Sequence, residues 1–392
     1  MPPPQPVIKL RVGRSQERLI ASGHPWLFDR GILSQSGDGP PGSIAVVYDR
    51  QDRFLAAGLY DPRSPIRLRI LLVRKPAQID SDWWRAQVEV AVGKRASIAE
   101  SGTTGYRLIH GESDGIPALV ADRYDTTVVV KVYSAAVLPH LEAIAGALEA
   151  ERVVLRLSRL LQAEKTAFED GQVLRGSRPD APVVFTEHGL RFEADVLHGQ
   201  KTGFFLDQRE NRLRSGSLAR GRSVLNVFSY TGGFSVHAAA GGASSVASLD
   251  LNRLALEAAG RNFALNPSLA GVPHETMQGD AFDSLERLNR QRRRFDLVIT
   301  DPPSFARNQS QREDAIRAYR RLAVLAAGLV NRRGILVSCS CSSRVSRDDF
   351  AAAVESALGG DWRLLEQRGH ALDHPIGFPE AEYLKTLYHQ RG

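Results

Sequence analysis

The chain has 392 residues, 43% hydrophobic and 24% charged, a globular balance that excludes a largely disordered polypeptide and predicts two or three domains. Lys and Arg outnumber Asp and Glu by 51 to 44, for a net charge of +7, and arginine, whose planar guanidinium suits phosphates and stacked bases, supplies most of it. No apolar run is long enough for a membrane span, Met1–Gln5 lacks the apolar core of a leader, and the two cysteines, Cys339 and Cys341, stand too close to staple a fold, so a soluble protein of a reducing compartment is expected.

Residues 1–75 read as β-rich. Val7–Val12, Ser43–Asp49, Phe54–Leu59 and Ile66–Val73 have strand patterns, the last alternating with its apolar set on one face, and Gly37–Gly42 is a turn-rich connection. Short strands on this spacing predict a small barrel or sandwich. Residues 76–189 read as α+β. Asp80 or Ser81 caps a helix whose apolar face is Trp83, Trp84, Val88, Val90 and Val92. Tyr106–Ile109, Ala118–Asp122 and Thr126–Val132 follow as strands, Ala135–Ala150 as a helix, then Val153–Leu157, Val183–Thr186 and Leu190–Ala194 as strands.

From residue 190 to 392 the period changes. Strands at Val224–Phe228, Ser245–Asp250, Phe295–Thr300 and Gly334–Ser338 alternate with helices at Phe234–Ala240, Arg253–Asn266 and Ala315–Asn331. That alternation predicts an α/β, doubly wound parallel sheet, whose ligands gather beyond the carboxyl ends of the strands.

Those ends carry the polar and glycine residues. Asn226-Val-Phe-Ser-Tyr-Thr-Gly-Gly-Phe-Ser235 places Gly232 and Gly233 where a tight turn lets a ligand approach the backbone before a helix starts. Asp250 ends the next strand, where a carboxylate can accept both hydroxyls of a ribose or cap the helix beginning near Asn252. Asp280, between Gly279 and Ala281, can meet an adenine amino group. In this order the residues suit a nucleoside-bearing cofactor across the sheet, with no GxGxxG fingerprint for a dinucleotide. Asp301-Pro-Pro-Ser-Phe305 follows FDLVIT, and its two prolines stiffen a loop that can hold a flat polar base. Gly334-Ile-Leu-Val-Ser-Cys-Ser-Cys-Ser342 runs an apolar strand into the cysteines. Cys339 suits a buried small hydrophobe, whereas Cys341 lies further out, where a thiolate can act as a nucleophile.

With these motifs the chain resembles the class I S-adenosylmethionine-dependent methyltransferases, and more closely the bacterial large-subunit ribosomal RNA cytosine-5 methyltransferases that begin with a PUA domain. Gly23–Phe28 (GHPWLF), Gly58–Pro62 (GLYDP) and Ile66–Ile70 are similar to that PUA module. Tyr106–Ile109 and Glu112–Pro117 resemble the linking α+β domain, His198–Arg209 (HGQKTGFFLDQR) the lead into the core, and Ser340–Ser342, Asp373–Pro375 and Tyr383–Lys385 the C-terminal signatures. The resemblance implies a Rossmann-like methyltransferase core after a PUA-like barrel, with S-adenosylmethionine as cofactor and cytoplasmic 23S rRNA as partner, in a monomer or homodimer. It implies that Cys341 attacks the base and Asp301 orients it. Asp207, Gln208, Arg209, Asn226, Phe228, Ser229, Tyr230, Thr231, Gly232, Gly233, Asp250, Asn252, Asp280, Ala281 and Asp301 would surround the cofactor, with Phe205 in the same cleft. Cys339 departs from the pattern and gives the nucleophile two registers; counting from Gly334 selects Cys341. The alternatives are methylation of a ring nitrogen or exocyclic amine, a nicotinamide oxidoreductase, and a non-catalytic RNA-binding assembly factor.

Overall fold

The computed structural model describes residues 8–164, 166–306 and 308–392, so Val7, where the first strand is expected to begin, lies outside the described residues. Two compact units divide the chain. One runs to Val183 and takes in Ala194–Phe204 and Pro375–Pro379; the other comprises Val184–Glu193, Phe205–His374 and Glu380–Gly392.

In the first unit, β1 (Ile8–Val12), β2 (Trp26–Phe28), β3 (Ile32–Ser36), β4 (Ile44–Tyr48), β5 (Phe54–Tyr60) and β6 (Ile66–Val73) form one sheet in the order β2-β6-β5-β4-β1-β3. Its core includes Leu10, Leu27, Val47 and Leu68, each such side chain contributing about 1.5–3 kcal/mol by leaving water. The expected alternation of β6 fails at its centre. Leu68, Arg69 and Ile70 are all buried, because the Arg69 guanidinium finds the Glu112 carboxylate at 2.8 Å.

A second sheet, β11-β10-β9-β8-β7, is built from β7 (Gly105–His110), β8 (Leu119–Tyr124), β9 (Thr127–Val132), β10 (Arg152–Leu157) and β11 (Val173–Arg175). Asp80 caps the helix Ser81–Gly93, accepting the Trp83 N–H at 3.0 Å. Trp84, Val88 and Ala91 face its core while Val90 is exposed, since a period of 3.6 cannot put all five expected residues on one side. The helix expected over 135–150 splits into a 3-10 segment, Ala135–His140, and an α-helix, Leu141–Gly146. Pro139, which lacks an N–H, falls in the first. Ser134 Oγ donates to Asp61 at 2.8 Å and the Trp26 indole to Glu112 at 2.9 Å, tying the two sheets together within the unit.

The second unit holds most of the hairpin of β12 (Val183–Glu187) and β13 (Leu190–Ala194). Its main sheet comprises β14 (Ser223–Val227), β15 (Ser245–Asp250), β16 (His274–Gln278), β17 (Phe295–Thr300), β18 (Val330–Ser340), β19 (Trp362–Arg368) and β20 (Lys385–Arg391). The order is β16-β15-β14-β17-β18-β20-β19, with β14 to β18 parallel and β20 antiparallel to both neighbours. The chain winds outward from β14 through β15 to β16, then returns to β17 on the other side of β14. The strand order therefore reverses between β14 and β17, and the carboxyl ends at such a switch point are where doubly wound sheets hold ligands. β20 escapes a reading by pattern: Lys385, Thr386 and His389 are buried alongside Leu387 and Tyr388, which erases the polar/apolar alternation.

Candidate active site

The turn leaving β14 is strained. Phe228, Tyr230 and Gly232 have φ of 60°, 46° and 78°, and the two aromatic residues occupy a region that costs about 1–3 kcal/mol each. Three bonds hold it. Ser229 N–H donates to the Leu249 carbonyl at 3.0 Å, Tyr230 N–H to Asp250 Oδ2 at 2.8 Å, and Gly232 N–H to the Ser229 carbonyl at 2.8 Å. Asp250 Oδ1 accepts the Asn252 N–H at 2.8 Å, so this carboxylate braces the turn and the start of the next helix at once. Asn252 is that helix's N-cap, accepting the Leu254 N–H at 3.0 Å. At Gly232 a Cβ would come within 2.8 Å of Ala259 Cβ, so packing as well as φ demands glycine there. Gly233 opens the helix Gly233–Ala240.

Beneath the turn, Asn226 Nδ2 donates to Ser235 Oγ at 2.9 Å, but Asn226 Oδ1, Ser229 Oγ and Thr231 Oγ1 are buried with no partner among the described residues. Each such atom costs about 1–3 kcal/mol. Their clustering at one strand end leaves one acceptor and two hydroxyls for a polar ligand to satisfy. Asp280 is exposed and caps the helix Ala281–Arg290, Oδ1 accepting the Phe282 and Asp283 N–H groups at 2.9 and 3.1 Å; Ala281 is buried. Gly279 N–H donates to the Asp250 carbonyl at 3.1 Å and joins this segment to the Asp250 end.

Across β14, Asp301 N–H donates to the Val227 carbonyl at 3.2 Å. Asp301 Oδ1 accepts Gln208 Nε2 at 3.0 Å, and Gln208 Oε1 accepts Asn211 Nδ2 at 2.6 Å, an arrangement that fixes both amide and carboxylate. Asp207 accepts the Tyr383 hydroxyl at 2.7 Å, and the Phe205 ring meets Tyr230 edge-on at 5.1 Å. The Arg209 guanidinium is buried against Asp373 and Glu210, both at 2.8 Å. Burial would raise the Asp373 carboxyl, but His374 and Arg209 hold it far below the usual carboxylate range.

The cysteines separate at the end of β18. Cys339 is 1% exposed, accepts the Thr386 hydroxyl at 3.6 Å, and has its thiol pushed well up by burial. Cys341, just past the strand, is half-buried with Sγ 3.8 Å from the Pro302 carbonyl of the Asp301 loop. Its neighbours Ser340 and Ser342 are both buried against one phenol. Ser340 Oγ donates to the Tyr319 hydroxyl at 2.9 Å, which lies 2.8 Å from Ser342 Oγ, itself 3.1 Å from Ser304 Oγ. Burial pushes Tyr319 up to about 12, so it stays a neutral clamp. Ser304 belongs to the DPPSF motif, whereas Tyr319 carried no signal in the sequence. Tyr319 looks like one more core aromatic on the helix Arg312–Ala327, and only the fold puts it under Cys341.

Among the described residues no cluster of His, Cys, Asp and Glu is suited to a metal ion, and no helix is long and apolar enough to cross a membrane.

A parallel sheet with a strained glycine turn, an acidic second-strand end and a DPP loop at one edge defines the class: the chain belongs to the S-adenosylmethionine-dependent methyltransferases, whose family matches residues 158–382. A PUA-like domain matches residues 10–72, the region of the first sheet. The chain is 50% identical to a ribosomal RNA large subunit methyltransferase of Deinococcus radiodurans, over 98% of each chain. It is 36% identical to ribosomal RNA large subunit methyltransferase I of Shewanella frigidimarina, over 97% of this chain and 98% of that one. SMU.776, solved in complex with SAH, shares the fold at a TM-score of 0.86 and 24% identity, covering 98% of this chain and all of its own.

Proposed function

We propose that this protein methylates carbon 5 of a cytosine in 23S rRNA through a covalent adduct with Cys341. The observation that carries the reading is Cys341 Sγ facing the Asp301–Pro303 loop, 3.8 Å from the Pro302 carbonyl, while Cys339 is sealed against Thr386. The names of the relatives from Deinococcus and Shewanella support large-subunit rRNA as the substrate.

The orphaned atoms fit the cofactor. Asn226 Oδ1, Ser229 Oγ and Thr231 Oγ1, with the Asp250 carboxylate, form a set able to bond the ammonium, carboxylate and ribose hydroxyls of S-adenosylmethionine. Gly232, Gly233, Asn252, Asp280 and Ala281 would complete the cradle, with Asp207 and Gln208 near the substrate side. Arg209, engaged by Asp373 and Glu210, would act by holding this segment in place. When bound, the cofactor supplies an electrophilic methyl group.

Carbon 5 of cytosine is a poor nucleophile. The Cys341 thiolate adds to carbon 6, the electron pair of the 5,6 double bond moves to carbon 5 and takes up the methyl group, and loss of the carbon 5 proton with elimination of the thiolate restores the ring, splitting one hard step into easier ones. Asp301, steadied by Gln208, orients the base by accepting a hydrogen bond from its exocyclic amine or from a protonated ring nitrogen. Unstacking the base costs about a few kcal/mol, which contacts to RNA shape and phosphate from the PUA-like domain and the arginines offset. Methylation of an amine instead would draw on Phe305 as a stacking surface, but its ring packs against Tyr319 at 4.9 Å.

RNA containing 5-fluorocytidine tests the reading, because its fluorine cannot leave as a proton does. A trapped protein–RNA adduct mapping to Cys341, and absent from Cys341→Ala, is expected. Methyl transfer to RNA by Cys341→Ala would overturn the proposal.

A further inference from the structure

Lys385 has no part in that chemistry, yet it lies buried beside it. It opens β20, pairs in register with Ser340, and is 2% exposed. Its Nζ donates to the carbonyls of Ser342 and Val345, both at 2.7 Å and both in the turn that follows Cys341. No carboxylate lies within ion-pair distance of it among the described residues. An uncharged donor could tether two carbonyls equally well, and burying an ammonium without a counter-ion is strongly unfavourable. A tether alone therefore does not account for the charge.

The surrounding groups narrow its role. Glu382 is taken by Arg347 at 2.6 Å, and Asp301 by Gln208 at 3.0 Å. Tyr319 and Cys339 are both held neutral by burial. Burial pulls Lys385 down to about 8, while Glu382 and Cys341 act to keep it charged and Arg347 opposes them. The ammonium thus sits under the turn that leaves Cys341, bonded to the carbonyl of the very next residue, Ser342.

We propose that Lys385 is a positioning residue: its ammonium anchors the Ser342–Val345 turn and is the counter-charge of the Cys341 thiolate that this turn follows. The inference rests on Cys341 being the nucleophile.

Alkylation of the full-length enzyme by iodoacetamide, without RNA, across a series of pH values tests it, with the modified cysteine located by tandem mass spectrometry. Wild-type Cys341 is expected to react with a midpoint below the ordinary thiol value of about 8.5. Lys385→Met should raise that midpoint by about one pH unit and cut methyl transfer about tenfold near neutrality, with KM unchanged and activity regained at higher pH. Lys385→Arg, which keeps the charge, should restore the wild-type midpoint. A wild-type midpoint at or above the ordinary value overturns the proposal even if Lys385→Met fails to fold, and so does a folded Lys385→Met with the wild-type profile. A lowered midpoint without a 5-fluorocytidine adduct would sink the proposed reaction alone; an adduct with an ordinary midpoint would sink the role of Lys385 alone.

Discussion

Glu187 and the Phe228–Gly232 turn lie in the same unit and treat buried polar atoms in opposite ways. Glu187 is wholly buried, with Arg212 at 2.7 and 2.5 Å and His237 Nε2 at 2.9 Å. Burial alone would raise its carboxyl, but Arg212 and the bond from His237 hold it at about 2. At the turn, Asn226 Oδ1, Ser229 Oγ and Thr231 Oγ1 are left open and the backbone is strained. A closed network stabilises the fold. An open one beside strained backbone gives up stability where a ligand belongs.

The contrast can be broken most sharply at Cys341, the proposed nucleophile. Cys341→Ala should abolish methyl transfer, read with radiolabelled cofactor, while calorimetry shows cofactor affinity unchanged. Undiminished transfer would place the reaction elsewhere.

On the closed side, Glu187→Ala strands the buried Arg212 and should cost about 3–5 kcal/mol in a urea titration. The pH sign follows from the depressed carboxyl. Its stabilisation is complete above the unfolded value of about 4.3 and is lost as pH falls toward 2, so Glu187→Gln should flatten the acid limb over that window. Asp301→Asn keeps the shape of the loop but replaces the carboxylate proposed to orient the base, and turnover should drop about 100- to 1,000-fold with little change in melting temperature.

The smallest effect is the most telling. Thr231→Val removes one orphaned hydroxyl at constant volume. It should leave the apo protein as stable or slightly more so, yet weaken S-adenosylmethionine binding about fivefold, since a typical bond is worth roughly 1 kcal/mol. A loss of apo stability would mean that the hydroxyl serves the fold.

Much of the second unit was legible because parallel strands buried on both faces read as apolar runs: Ser245–Asp250 and Phe295–Thr300 match their expected bounds. The strand-end residues Asp250 and Asp301 stood out because each is a carboxylate closing such a run. Other features were hidden. Pro139 was a visible break inside an expected helix, whereas nothing marked Gln208 as the brace of Asp301, 93 residues away. Bonds between side chains so far apart leave no periodic trace.

Taken alone, the linear order of residues decided the alternation of strands and helices and which strand ends carry carboxylates, glycines and sulfur, because these depend on local spacing and side-chain chemistry. Tertiary structure alone decided the surroundings of the two sulfurs. Cys339 pairs with Thr386 inside an antiparallel ladder and is sealed there, while Cys341 falls one residue beyond the strand and turns toward the DPP loop. That outcome depends on β20, a strand from the far end of the chain whose buried polar residues hide it from any pattern.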